Sequence, residues 1–432
     1  MRRQGRQGRH FSAKKKAALT CLGILLAAAL CAAAWILLRD TGQEKSNIVR
    51  TEQEDPDSAA KGQTSEGQAP DDQTPENPSP QEQLEARVQE TLDGMTLEEK
   101  VNQLFMVTPE QLTGVGTAVQ AGEATRAALE QHPVGGVIYF AQNLQNPDQT
   151  RQMLANTSQY AEEAAGFPVF LSVDEEGGQV SRIASNSAFQ VPVFDYMSQV
   201  GQRGNTQEAY DIGSQIGAYL RDLGFNMDAA PDTDVLTNPA NEVVKYRSFG
   251  ADPQLVASMA EAELQGLRDQ GIIGMYKHFP GHGGTTADSH QGYAYVEENL
   301  EQLMSQALVP FQDGIDKGVP VIMVSHIACP NVTGDDTPAT LSSVMVTDVL
   351  RGQMGFDGMV ITDALNMGAI TQQYSSADAA VKALQAGVDM LLMPEDFESA
   401  YQGVLQAVSD GRLTEERVDQ SVERILRIKL SM

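Results

Sequence analysis

The stretch KHFPGHGGTTADSH, residues 277–290, gathers three of the chain's six histidines beside an aspartate. Several chemistries fit such a composition. His278 and His282 stand four apart, the spacing of a helical zinc pair, with Asp288 or His290 as a third ligand. Pro280, Gly281, Gly283 and Gly284 break any helix here, so the spacing loses its geometric meaning. A phosphate cradle would need a Walker-type pattern that GHGG lacks. Two readings ask less of the loop: a polar loop held by its own hydrogen bonds, and an acid/base device. Asp288 and His290 flank one serine, so in an extended loop both side chains point the same way. A carboxylate beside an imidazole orients the ring, fixes its tautomer and holds its pKa near the working pH. Such a pair can protonate a leaving group and then deprotonate water, provided that a nucleophile is at hand. Asp363, in VITDALNM, offers one, because it ends an apolar run and small and apolar residues follow it. Standing alone, a strand-end aspartate would equally serve as a helix N-cap.

These residues need elements that bring them together. Short apolar runs lie at 103–107, 135–140, 168–174, 225–231, 272–279, 320–326, 358–363 and 388–394, with amphipathic stretches such as 206–223, 253–270 and 300–317 between them. Near-continuous apolar strands separated by amphipathic helices predict a parallel sheet covered on both faces. Eight such units predict an α/β chain with a single (β/α)8 TIM-like barrel, a doubly wound open sheet being the alternative. Asp174, Asp232, His278, His326 and Asp363 each fall at or just past the C-terminal end of a different run, where a barrel collects catalytic groups at one mouth.

The 432 residues carry 58 acidic against 30 basic side chains, a formal charge of −28. That field repels nucleic acid and anionic lipid and argues against a polyphosphate-binding role. Cys21, Cys31 and Cys329 have no paired spacing for a zinc knuckle or a disulfide framework, and Cys329 reads as a small buried apolar residue. A basic tail, 1–16, precedes an uncharged apolar run, 17–38, which is long enough for the ~30 Å hydrocarbon core of a bilayer. The pattern predicts a single-pass transmembrane anchor with its basic end in the cytoplasm and the rest of the chain outside the cell. The competing reading is a cleaved signal peptide at Ala32-Ala33-Ala34 and a secreted product. Residues 39–83, rich in Gln, Glu, Asp, Pro and Ser, predict a disordered tether. The folded part is expected over 84–432, with a capping box from Thr96 to Glu99 near its start.

The quoted loop resembles the signature of the β-N-acetylhexosaminidase branch of glycoside hydrolase family 3. The resemblance covers roughly residues 92–430 and includes MTLEEKVNQLFMV, GGVIYF, VDEEGGQVSR, APDTDVLTNPANEVVKYRSFG and VITDALNMGAI in that order. It implies the same barrel and a retaining double displacement. Asp363 would be the nucleophile that forms a covalent glycosyl-enzyme. His290, oriented by Asp288, would be the acid/base, taking the place of the second carboxylate usual in retaining glycosidases. By motif position Asp174, Arg182, Arg247, Lys277 and His278 would hold the sugar's hydroxyls and N-acetyl group, although Asp174 and Arg182 also suit a structural ion pair. His282 would stabilise the loop, whose glycines suit closure over substrate, and His326 would lie near the mouth, with or without a role in the chemistry.

The implied activity is that of an exo-β-N-acetylglucosaminidase acting as a monomer, with no cofactor and no metal. Its substrates would be peptidoglycan fragments or related glycans. A neutral imidazole repels an anionic acceptor less than a carboxylate does, so a GlcNAc phosphorylase stays open. So do a β-glucosidase or β-xylosidase and a catalytically silent wall-binding protein. The sequence departs from the family pattern at Glu175 and Gln179, where Gln and Arg are frequent, which predicts a more acidic rim to the sugar site. Ala364 stands where family β-glucosidases commonly place a Trp, which favours an N-acetylglucosaminide. The single tryptophan, Trp35, lies in the anchor and leaves no indole platform for a sugar face. The last residues, ERILRIKLSM, resemble the usual end of the barrel, so the second domain of larger relatives is not expected.

Overall fold

The computed structural model describes residues 78–285 and 294–432. The basic tail, the expected anchor and most of the expected tether lie outside the described residues. Among those described, no helix is long and apolar enough to cross a membrane.

The tether ends earlier than its composition suggests, because a helix, Pro80–Gly94, starts inside 39–83. Its start is set by a reciprocal cap. The Glu82 N–H donates to Ser79 Oγ (3.3 Å), the Ser79 N–H donates to Glu82 Oε2 (2.7 Å), and Pro80 opens the first turn. The helix buries Val88 and Leu92. The box expected at Thr96 and Glu99 forms in the same way, with the Thr96 N–H on Glu99 Oε2 at 2.8 Å.

Each of the eight apolar runs holds a strand: β1 (Phe105–Val107), β2 (Gly136–Tyr139), β3 (Phe170–Val173), β4 (Met227–Asp228), β5 (Tyr276–Phe279), β6 (Val321–Val324), β7 (Met359–Thr362) and β8 (Leu391–Leu392). Every residue in them is buried, as expected when both faces of a parallel sheet are covered. The pairing is parallel throughout and follows chain order, β8-β1-β2-β3-β4 in one sheet and β7-β6-β5 in the other. Where one uninterrupted barrel was expected, two parallel sheets meet edge to edge at single bridges. These are Met227 with Ile273 and Asp232 with Lys277 on one side, and Ile361 with Met390 on the other. The interruption is local: β4 and β8 are two residues long, and Pro231 beyond β4 has no N–H to lend to a ladder. Backbone hydrogen bonds still cross both seams, such as Met275 N–H to Ala230 O (2.8 Å) and Thr362 N–H to Met390 O (3.0 Å).

Helices Thr206–Leu223 and Pro253–Asp269 match their expected runs, whereas 300–317 divides into Leu300–Ser305 and Val309–Asp316. Pro310 explains the break, since its ring would clash with the preceding turn. Below the strands, buried Asp389 accepts from the Val360 N–H (2.9 Å) and Ser421 Oγ (2.9 Å) and pairs with Arg351 (2.6 Å), Arg417 (3.5 Å) and Arg424 (3.4 Å). Cys329 is a free, buried thiol, which burial pushes up to about 12.

Candidate active site

The C-terminal end of β3 runs into a tight hairpin, Glu175–Gly177 against Val180–Ser181. Its turn needs Gly178, which has a φ of +54° and where a Cβ would come within 2.8 Å of Asp195 O. Strand alternation puts Asp174 and Glu176 on one side and Glu175 on the other. Glu175 is enclosed. It accepts the N–H groups of Arg182, Ile183 (2.8 Å) and Ala184 (2.9 Å) and the hydroxyl of Tyr219 (2.8 Å). Contrary to expectation, Glu175 therefore does not make the rim acidic, and its role is to fix the hairpin. Burial pushes its carboxyl above the usual range despite those donors.

On the other side of the hairpin the ionic groups interlock. The buried Lys277 Nζ donates to Asp174 Oδ1 (3.0 Å) and pairs with Glu176 Oε1 (2.6 Å). Arg247 grips Glu176 with two bonds, Nε to Oε2 (2.8 Å) and Nη2 to Oε1 (2.7 Å), and Asp232 Oδ2 lies 3.3 Å from its Nε. Arg247 Nη2 also lies 3.1 Å from His278 Nε2. A guanidinium only donates, so Nε2 accepts, and the ring proton sits on Nδ1 and donates to Asp234 Oδ2 (2.7 Å). His278 is thus the neutral imidazole, and burial, reinforced by the Arg247 charge, holds it down to about 4. Burial alone would raise the Glu176 carboxyl, but Arg247 and Lys277 outweigh it and hold the group well below the usual range. Arg182 sits at the edge, its Nη2 3.4 Å from Asp174 Oδ2 and its guanidinium 5.7 Å from the centre of the Phe140 ring.

The structure therefore brings Asp174, Arg182, Arg247, Lys277 and His278 into one connected network. Sequence reading missed its two hubs, Glu176 and Asp234. The signal was available: Asp174/Glu176 and Asp232/Asp234 are two apart, the spacing that puts two side chains on one face of an extended segment.

Asp363 stands at the end of β7. Its N–H donates to Val324 O (2.8 Å) and its Oδ1 accepts the Ala364 N–H (2.8 Å). It caps no helix, since the next one, Gly368–Thr371, begins after Met367. Its charge reaches His278. The expected acid/base pair, Asp288 and His290, lies outside the described residues. His282 is built into the loop before them, with its backbone N–H on Asp234, its carbonyl accepting from Asn241 Nδ2 (2.8 Å) and its Nδ1 3.0 Å from Thr285 Oγ1. Gly283 is required beside it, because a Cβ there would meet Val235 O at 1.9 Å.

Asp232, Asp234 and His278 bring possible ligand atoms within 4.8 Å of one another. Arg247 faces both His278 Nε2 and Asp232 Oδ2, so a guanidinium already holds the place of a cation. What the arrangement offers is a dense set of fixed donors and acceptors within electrostatic reach of a strand-end carboxylate. That suits a neutral ligand rich in hydroxyls.

The family model "Glycosyl hydrolase family 3 N terminal domain" matches residues 96–428. "Beta-hexosaminidase A" of Pseudoalteromonas piscicida is 31% identical over 325 residues, 70% of this chain and 54% of that one, so the chain spans about half of that relative's length. "Beta-hexosaminidase" of Nitrosomonas eutropha is 32% identical over 329 residues, 74% of this chain and 92% of that one. Among solved structures, a glycoside hydrolase family 3 beta-N-acetylglucosaminidase from Paenibacillus sp. str. FPU-7 superposes with a TM-score of 0.73 at 38% identity, covering 78% of this chain and 62% of that one.

Proposed function

Because this chain belongs to glycoside hydrolase family 3, we propose that it is a retaining exo-β-N-acetylglucosaminidase acting on peptidoglycan fragments or related glycans. The observation that carries the reading is the interlocked Asp174–Lys277–Glu176–Arg247–His278 network lying within the field of Asp363. The β-hexosaminidase names of its relatives support the N-acetyl sugar.

In this reading the two sheets work as one eight-stranded barrel with the site at its mouth. The network fixes the terminal sugar by its hydroxyls, and its charges are already paired, so little reorganisation is needed on binding. The Asp363 carboxylate attacks the anomeric carbon while His290, oriented by Asp288, delivers a proton to the departing oxygen. The glycosyl–Asp363 ester then forms. In the second step His290 takes a proton from water, whose oxygen displaces Asp363 and returns the sugar with its configuration retained. The apolar run 17–38 would anchor the enzyme with its barrel outside the cell, or release it there if cleaved. N-terminal sequencing of the cell-associated protein separates the two.

The decisive experiment compares nitrophenol release from the β-GlcNAc and β-glucose aryl glycosides. Preference for the GlcNAc glycoside is expected, and equal or better cleavage of the glucoside would sink the substrate assignment. Asp363→Ala should lower kcat at least about 1,000-fold. Product analysis with and without added phosphate tells hydrolysis from phosphorolysis.

A further inference from the structure

His326 is a buried titratable side chain to which the proposed reaction gives no step. It follows β6, is fully enclosed, and has both ring nitrogens engaged. Nδ1 lies 2.8 Å from Thr340 Oγ1, and Nε2 lies 2.9 Å from the carbonyl oxygen of Ala364. A carbonyl only accepts, so Nε2 carries a proton and donates it to Ala364. Nε2 being the donor, Nδ1 accepts the Thr340 hydroxyl proton, and the Thr340 N–H, which donates to Ser325 O (3.2 Å), ties that edge of the ring to the end of β6.

Ala364 is the residue after Asp363. Its N–H donates to Asp363 Oδ1 (2.8 Å), and the Asp363 N–H returns to Val324 O (2.8 Å). The path from Ser325 O through Thr340, His326, Ala364 and Asp363 therefore returns to the neighbouring carbonyl of Val324. The turn has backbone support as well, Met367 N–H to Ala364 O (3.1 Å) and Leu365 N–H to Leu392 O (2.9 Å). Those bonds tie the turn to itself and to β8, whereas His326 supplies a side-chain brace from β6.

We infer that His326 is a positioning residue for the nucleophile. Its Nε2–H pins the backbone of Ala364, so that the Asp363 carboxylate is held on line for the anomeric carbon. The inference rests on the proposed role of Asp363.

The test uses the full chain and whichever aryl β-glycoside the wild type turns over best, so a wrong substrate assignment does not affect it. His326→Phe keeps the ring's bulk and removes the donor. The expected result is a kcat lower by roughly 100-fold with KM changed less than about 3-fold and cooperative thermal unfolding retained, the signature of a misplaced but folded nucleophile. His326→Gln, whose amide can donate to the same carbonyl, should recover at least about 10-fold of that loss. If His326→Phe does not fold, Thr340→Val carries the test, with a smaller loss in kcat alone as the ring loses its second tether. Wild-type kcat in His326→Phe, or in Thr340→Val in its stead, overturns the inference. Equal losses in the Phe and Gln variants that track their melting temperatures also overturn it, since His326 would then only fill space. An active Asp363→Ala chain, measured alongside, instead removes the nucleophile assignment and is told apart from an indifferent His326.

Discussion

His278 shows how one residue's partners decide its protonation. Arg247 can only donate to Nε2, and Asp234 accepts from Nδ1, so the ring holds one proton and refuses a second until pH falls to about 4. The consequence for stability has a definite sign. Above the ordinary value of 6.5 the ring is neutral whether the chain is folded or not, and the full contribution is present. As pH falls from 6.5 towards 4, the unfolded chain takes up a proton that the folded one does not, and stability drops by up to about 3 kcal/mol. His278→Gln lacks this loss. Denaturant melts of both proteins at pH 7 and pH 4.5 should show the wild type losing ground to the variant as pH falls, and a constant difference would refute the assignment.

At the scale of elements, the hairpin after β3 shows what the sequence made legible and what it hid. All eight strands were readable because runs rich in Val, Ile, Leu, Met and Phe have no other way to bury both faces. The polar hubs were harder, because Asp174, Glu175 and Glu176 look alike as letters and differ only in which way alternation turns them. The seams between the sheets were hidden too, since they depend on how few residues β4 and β8 contribute to their ladders. The start of the helix Pro80–Gly94 lay inside a polar, proline-rich window, where Ser79, Pro80 and Glu82 outweighed composition. Glu175 makes the hairpin testable: Glu175→Leu preserves bulk but strips acceptors from three enclosed N–H groups and the Tyr219 hydroxyl. A loss of about 3 kcal/mol or more is expected from chemical denaturation, with KM raised as Asp174 and Glu176 lose their frame.

Across the whole molecule, the proposed site and a stabilising cluster sit at opposite ends of the strands. The C-terminal ends carry the Asp174–Lys277–Glu176–Arg247–His278 network, whereas the other end is tied by Asp389, which joins β7, the segment before β8 and the arginines of two helices. Asp389→Ala would leave three arginines around a buried gap, and removing one partner of such a cluster costs roughly 3–5 kcal/mol. The folded fraction of that variant, followed by thermal melting, should fall steeply while kcat per folded molecule stays at the wild-type level.

The interlocking of charges at the C-terminal ends of the strands has a further consequence, one for ionic strength. A chain with a net charge of −28 is surrounded by a field that salt weakens, and its encounters with charged polymers should change with salt accordingly. The network around Glu176 should be indifferent. Lys277 and Arg247 meet the buried Glu176 carboxylate at 2.6–2.8 Å in an enclosed setting that counterions do not enter, and the sugar proposed to bind there is uncharged. Values of kcat/KM on a neutral aryl glycoside should therefore vary less than about twofold between low and near-molar salt, which would let one active site serve equally in dilute and in briny surroundings.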